Sequence, residues 1–276
     1  MTSSPSDRIE RDDAFDKIEA CGNDFVLLAH EPDPKSVAEL CDRHHGIGAD
    51  GIMVLRSVRP ELTDLGHLDP DGSHSFCLNG TRAALALLAR RGRIAPAGRV
   101  RTEGQEFAYR LDPDPILFLP VRDYRPLNWR GGDHLVSGYR VEVGNPQFVI
   151  LEGMDPNRFR ELAPRIRADL AAFPQGTNVT FLRRAEAGWH VQTFERGVET
   201  FTKACGTGMY AAALVLFGER GTRRVTFFPE GRGTVEAWLE GDGLAITGST
   251  RHVFSGTWPA TEVVAGESQV GEARCG

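Results

Sequence analysis

An internal repetition constrains this chain of 276 residues more than any other feature. The first half runs "GNDFVLL", a helical stretch, "DGIMVL", then "CLNGTRAALALLAR"; the second runs "GNPQFVIL", a helical stretch, "TNVTFL", then "ACGTGMYAAALVLFG". Gly22 and Gly144 are 122 positions apart, Gly51 and Asn178 127, and Cys77 and Cys205 128, so the order and spacing persist across the chain. Such self-similarity at a fixed offset predicts two related structural units. Their boundary is expected in "VRDYRPLNWRGGDH", around 121–134, where Pro, Gly and Asp interrupt the strand pattern. The expected division is a first half over 13–122, a second over 123–257, and a strand at 258–265 returning to the first half. Polar tails are expected at 1–12 and 266–276.

Within each unit, short β-branched or alternating runs dominate, such as "DFVLLA", "ILFLPV", "YRVEV" and "RRVTFF". Helical patterns appear at about 36–44, 79–91, 156–171 and 207–218, with Gly218 reading as a stop. The class is therefore a strand-rich α/β mixture without regular βαβ alternation.

The repetition bears on Cys205. Taken alone, a cysteine before an Ala- and Leu-rich helix most simply packs, because cysteine is among the most buried residue types. A packing thiol has no reason to recur at the matched helix start, yet Cys77 does. At a helix start, unpaired N–H groups and the positive end of the dipole favour a thiolate. If the two units pack about a pseudo-twofold axis, two such helix starts face each other with a thiol on each side. One group could then take a proton from a tetrahedral carbon while the other delivers one to the opposite face.

Other constellations weigh less. "GIGADG" at 46–51 fits a dinucleotide fingerprint only if a strand precedes it and a helix follows; the order here is reversed, so no such cofactor is expected. His67, Asp69, Asp71 and His74 could suggest a metal, but the twelfth position from Asp69 is Gly80, not an acidic ligand, and a polar substrate-facing loop is the preferred reading. No metal is expected. Lys17, Lys35 and Lys203 are the only lysines and none has a phosphate-binding context, so no pyridoxal cofactor is expected either. Asn23, Asn145 and Asn178 stand at matched places, where uncharged amides can hold ammonium and carboxylate groups. Glu195 and Arg196 form either a surface pair or a grip on an ammonium and a carboxylate.

The formal charge of −6 and pI near 5.8 argue against nucleic acid as the main partner. The run Arg90, Arg91, Arg93, Arg99 and Arg101 is read as solvating a helix C-terminus. Five cysteines (Cys21, Cys41, Cys77, Cys205 and Cys275), odd in number and without CxxC spacing, read as reduced. No stretch reaches the roughly 18 apolar residues of a membrane span, and a cytoplasmic setting is expected.

"GNDFV", "GIGADGI", "DGS…C.NGTRA", "VGNPQFVI", "TNVTF", "ERGVE" and "ACGTG", in this order, resemble the diaminopimelate epimerase family and its cofactor-independent racemase relatives over about residues 13–258. The resemblance implies two similar α/β halves, each a curved, mostly antiparallel sheet around a central helix, with the site between them. It implies Cys77 and Cys205 as the acid/base pair, and a substrate α-carboxylate held by the backbone amides of Leu78, Asn79, Gly206 and Thr207. It also implies Asn23, Asn145, Asn178, Glu195 and Arg196 as holding the amino groups and the distal carboxylate of a small amino-acid substrate, in a homodimer.

Three departures bear on that substrate. "CLNG" stands where the family has CGNG, so Leu78 would be strained if the turn needs positive φ. Asp69, in a "DPDGS" loop one residue short, stands where an asparagine would meet the distal carboxylate. Gln147 replaces a usual histidine. The reading is therefore an epimerase acting on LL- or meso-diaminopimelate, or alternatively a racemase of another polar or basic amino acid.

Overall fold

The computed structural model describes residues 14–258. Seventeen strands and four helices occur among them. The first part of the chain forms β1 (Ala14–Ala20), β2 (Asn23–Leu28), α1 (Pro34–Cys41), β3 (Gly51–Val58), β4 (Thr63–Leu68), α2 (Leu78–Arg90), β5 (Ala97–Thr102), β6 (Gln105–Asp112) and β7 (Asp114–Pro120). There follow β8 (Tyr124–Gly131), β9 (His134–Glu142), β10 (Pro146–Ile150), α3 (Pro156–Ala168), β11 (Asn178–Ala185), β12 (Gly188–Glu195), β13 (Thr200–Thr202), α4 (Gly206–Arg220), β14 (Arg224–Pro229), β15 (Val235–Glu240), β16 (Gly243–Gly248) and β17 (Thr250–Thr257).

The pairing scheme occurs twice. β1 and β2 are antiparallel, β2 and β3 parallel, β3 and β4 antiparallel, β4 and β5 parallel, and β5, β6 and β7 an antiparallel meander. β9, β10, β11, β12, β14, β15 and β16 repeat the same sequence of pairings, with β13 added beside β12. The last strands of the two sets, β7 and β16, pair antiparallel and join them. Local capping repeats as well. Asp33 and Asp155 cap α1 and α3, each followed by a proline at the first turn, whereas Cys77 and Cys205 cap α2 and α4.

α2 and α4 are buried almost all round: Leu78–Leu88 and Gly206–Leu216 contain no exposed residue. A helix apolar on every face belongs inside a core, and here each is enclosed by its own set of strands. The fold class expected from the repetition is thus the observed one.

Several local expectations change. Within the segment around 121–134, residues from Tyr124 on belong to the β8–β9 hairpin, which turns at Gly132 and Asp133, where Gly132 has φ +60 and meets the demand of a two-residue turn. α4 runs through Gly218 to Arg220 and stops at left-handed Gly221, φ +63. Gly218 is instead a packing glycine, since a Cβ there would collide with the Tyr124 hydroxyl. The strand that returns to the first set is β17, antiparallel to β1 and inside the range assigned to the second half; residues 259–265 lie outside the described residues, as do both expected tails and Cys275. In the basic run, Arg91 does more than solvate a helix end, because it makes a bidentate pair with buried Asp16 at 2.6 and 2.7 Å and so ties α2 to β1. No helix among the described residues is long and apolar enough to cross a membrane.

Candidate active site

The two cysteine-capped helix starts meet head to head. A Cβ at Gly206 would lie 2.8 Å from Oδ1 of Asn79 and 3.0 Å from Cβ of Leu78, so only a glycine permits this approach. Asn79 Nδ2 donates across the junction to the Ala204 carbonyl (3.0 Å) and to Asn23 Oδ1 (3.2 Å). Its own Oδ1 accepts from fully buried Arg82 at 2.7 Å. Leu78 sits at the first helical position, buried and outside the positive-φ residues, so the bulk after Cys77 carries no backbone strain.

Both thiols line one cavity of about 480 Å³. Asn23, Asp69, Leu78, Asn145, Asn178, Glu195, Arg196, Gly206 and Thr207 line it with them. Asn79 and Gln147 stand one layer behind. Asn79 braces Asn23, and Gln147, fully buried, donates to Thr207 Oγ1 at 3.0 Å. Asn145 is held by the Phe76 carbonyl at 3.0 Å, and Asn178 accepts the Arg196 backbone N–H at 2.8 Å.

At each helix start a sulfur accepts the N–H three residues on, Gly80 for Cys77 and Gly208 for Cys205, both at 3.4 Å. These bonds favour the thiolates, but burial acts the other way and wins. It pushes the Cys77 thiol up to about 12 and the Cys205 thiol well above its ordinary value, in each case helped by the neighbouring Glu195 carboxylate. At both sulfurs, then, burial opposes the thiolate that the helix start favours. Burial also pushes Glu195 up to about 7, against hydrogen bonds from Thr202 and the Cys205 thiol. A buried carboxyl titrating near neutrality against a thiol is an arrangement able to accept a thiol proton.

The loop once open to a metal reading is engaged otherwise. Asp71 accepts from Ser73 N and Oγ, and His74 pairs with Glu31 at 3.0 Å. His67 is buried, its Nδ1 3.0 Å from Ser75 Oγ and 3.9 Å from Asp69, and burial pushes its pKa down against the nearby Asp69. Asp50, Arg167, Glu199 and Thr202 are among the lining residues without a reading as substrate contacts. Asp50 accepts from Asn23 Nδ2 at 2.8 Å, and burial pushes its carboxyl up; its place in "GIGADG" was its sequence signal. Thr202 lies on the three-residue β13, Glu199 closes the "ERGVE" stretch, and Arg167 carries no local motif.

No protein-family model matches the chain. Among curated sequences, it is 34% identical over 219 residues to the diaminopimelate epimerase of Gemmatimonas aurantiaca, covering 74% of this chain and 79% of that one. It is 31% identical over 281 residues to the diaminopimelate epimerase of Pelotomaculum thermopropionicum, covering 89% and 98%. Among solved structures, the fold is shared with a hydroxyproline epimerase from Agrobacterium vitis carrying bound trans-4-hydroxy-L-proline (TM-score 0.64, 14% identity, 90% and 93% covered). It is also shared with a phenazine biosynthesis protein of the PhzF family from Bacillus anthracis (TM-score 0.64, 12% identity, 90% and 99% covered).

Proposed function

The chain belongs to the diaminopimelate epimerase family and is an isomerase, and from that premise we propose that it converts LL-diaminopimelate to the meso form by proton transfer between two thiols. The observation that carries the reading is that Cys77 and Cys205 cap two abutting helices and line the same cavity. One sulfur, once deprotonated, takes the α-proton. The electron pair left on the carbon delocalises into the α-carboxylate, where the amides of Leu78, Asn79, Gly206 and Thr207 would spread the charge. The other thiol then delivers its proton to the opposite face and is left as the thiolate, so one turnover exchanges the roles of the pair. No cofactor takes part in this scheme. Glu195 receives the proton that first arms Cys205; Asn23, Asn145, Asn178 and Arg196 hold the substrate's remaining polar groups. Asp69 and Gln147 complete the proposed surroundings, Asp69 at the far end and Gln147 behind Thr207.

Lysine biosynthesis, a cytoplasmic setting and a homodimer belong to the same reading. Free Cys21, Cys41, Cys77 and Cys205 support the reducing compartment. The half-exposed Val253 and Phe254 on β17, which pairs with β1, support self-association, and light scattering at micromolar concentration should give twice the chain mass; a monomer there removes the dimer from the proposal. We keep the division of the halves at 122/123, with β17 joined to the first.

The test of the reaction is incubation with LL-diaminopimelate in D₂O without added cofactor, followed by proton NMR. Loss of the α-proton signal together with appearance of the meso isomer is expected. A chain inert toward this substrate that exchanges a basic amino acid would select the alternative racemase reading, which Asp69 in the cavity wall favours.

A further inference from the structure

We propose that Arg167 is a specificity-determining residue, which with Arg196 forms a paired guanidinium wall for a carboxylate at the end of the substrate remote from the reacting carbon. The inference rests on the epimerase reading and deepens it by assigning the far end of the cavity.

Arg167 stands in the last turn of α3, an element with no place in the thiol geometry, yet its side chain reaches the same cavity and is only 19% exposed. Its Nε is buried with no partner among the described residues. A buried donor left unpaired is costly, so the protein's own acceptors leave this guanidinium incompletely satisfied. Arg196 runs alongside. A Cβ at Gly176 would lie 3.0 Å from Cδ of Arg196 and 3.2 Å from Nη1 of Arg167, so both side chains come close to it, and its φ of +69 favours glycine there. The two cationic side chains thus both pack against a residue that has no side chain. Arg196 is fixed through its backbone N–H to Asn178 and through Nη1 to the Gln175 carbonyl at 2.7 Å, and it makes no ion pair among the described residues. Two neighbouring guanidinium groups repel unless an anion lies between them.

The anion within reach is Glu199, 53% exposed, which accepts from Arg167 Nη2 and from Gly197 N. An exposed pair of this kind contributes little, so exchanging it for a substrate carboxylate inside the cavity is cheap, while a fork-to-carboxylate pair with excluded water is strong. The wall also answers the problem raised by Asp69. Its Oδ2 would be 3.6 Å from a Cβ at Gly197, facing the turn that carries Arg196. With Arg196 as the single cation, Asp69 would cancel most of its attraction for a carboxylate. With Arg167 added, the far end keeps net positive charge beside Asp69, which suits a carboxylate together with an ammonium.

The experiment measures epimerisation of LL-diaminopimelate by wild type and by Arg167→Gln, Arg167→Lys and Glu199→Gln, with thermal unfolding run on each. Arg167→Gln should raise KM at least about tenfold with a much smaller fall in kcat, and Arg167→Lys should fall between it and wild type, because lysine keeps the charge and loses the fork. Glu199→Gln removes the competing carboxylate and should lower KM. A KM within twofold of wild type in Arg167→Gln, a loss confined to kcat, or a raised KM in Glu199→Gln overturns the role of Arg167 while leaving the epimerase reading intact. A wild-type chain inert toward diaminopimelate overturns both.

Discussion

Replacing Cys77 or Cys205 by alanine should reduce inversion of the α-carbon by at least about a thousandfold, since a positioned acid or base contributes on the order of 10² to 10⁴ and no neighbouring group can substitute on the same face. The two variants should fail in different ways. Each retains one sulfur, so each can still take a proton from one stereoisomer and return a deuteron to the same face. Incubating both stereoisomers with each variant in D₂O therefore separates exchange from inversion. Exchange of opposite isomers by the two variants, with inversion absent from both, is the expected pattern. Inversion surviving in either variant would show that a single group serves both faces and would remove the two-thiol scheme. Cys21 and Cys41, which are buried away from the cavity, serve as controls, and their conservative replacement should leave inversion near wild type.

The second large effect concerns Glu195. Its carboxyl is held near 7 by burial, far above its ordinary 4.5, and it must be ionised to take the Cys205 proton. The rate of inversion should therefore rise with pH through about 7, and Glu195→Gln should lose both that limb and about 10² or more of the rate. The same shift acts on stability. The folded chain keeps a proton on Glu195 that the unfolded chain releases above about 4.5, so this stabilising contribution is complete below 4.5 and disappears as pH rises to about 7. Its size is on the order of 3 kcal/mol for a shift of this extent. Urea denaturation at pH 5 and pH 8 should show that loss in wild type, and Glu195→Gln should flatten it. A variant that loses activity yet keeps the pH dependence of stability would mean that another group titrates in this range.

The two sulfurs were legible in the sequence because duplication wrote the same cap twice, and chance does not supply a second cysteine at a matched helix start. The fold class followed from the same pattern. Gly218 misled because a glycine near a helix end and a glycine pressed against an aromatic ring look alike in one dimension. The hairpin over Tyr124–Glu142 was hidden by residues that end strands in one context and turn them tightly in another. Asn79 and Gln147 were identified by motif, but only packing puts them behind the cavity surface, where they brace Asn23 and Thr207. Arg167 had no signal at all. It is one of several arginines on an amphipathic helix, and its importance depends on where the end of α3 meets the turn after β12, a contact between segments almost thirty residues apart.

β1 begins at Ala14 and is paired along its length with β17, which ends at Thr257. The amino-terminal unit therefore borrows its outermost strand from the far end of the polypeptide, while its counterpart takes the equivalent strand, β8, from immediately beside it. During synthesis the carboxy-terminal unit has all its strands by Gly248, and the unit made first waits with one flank of β1 unclosed until almost the whole chain has emerged. Order of manufacture and order of completion are thus reversed.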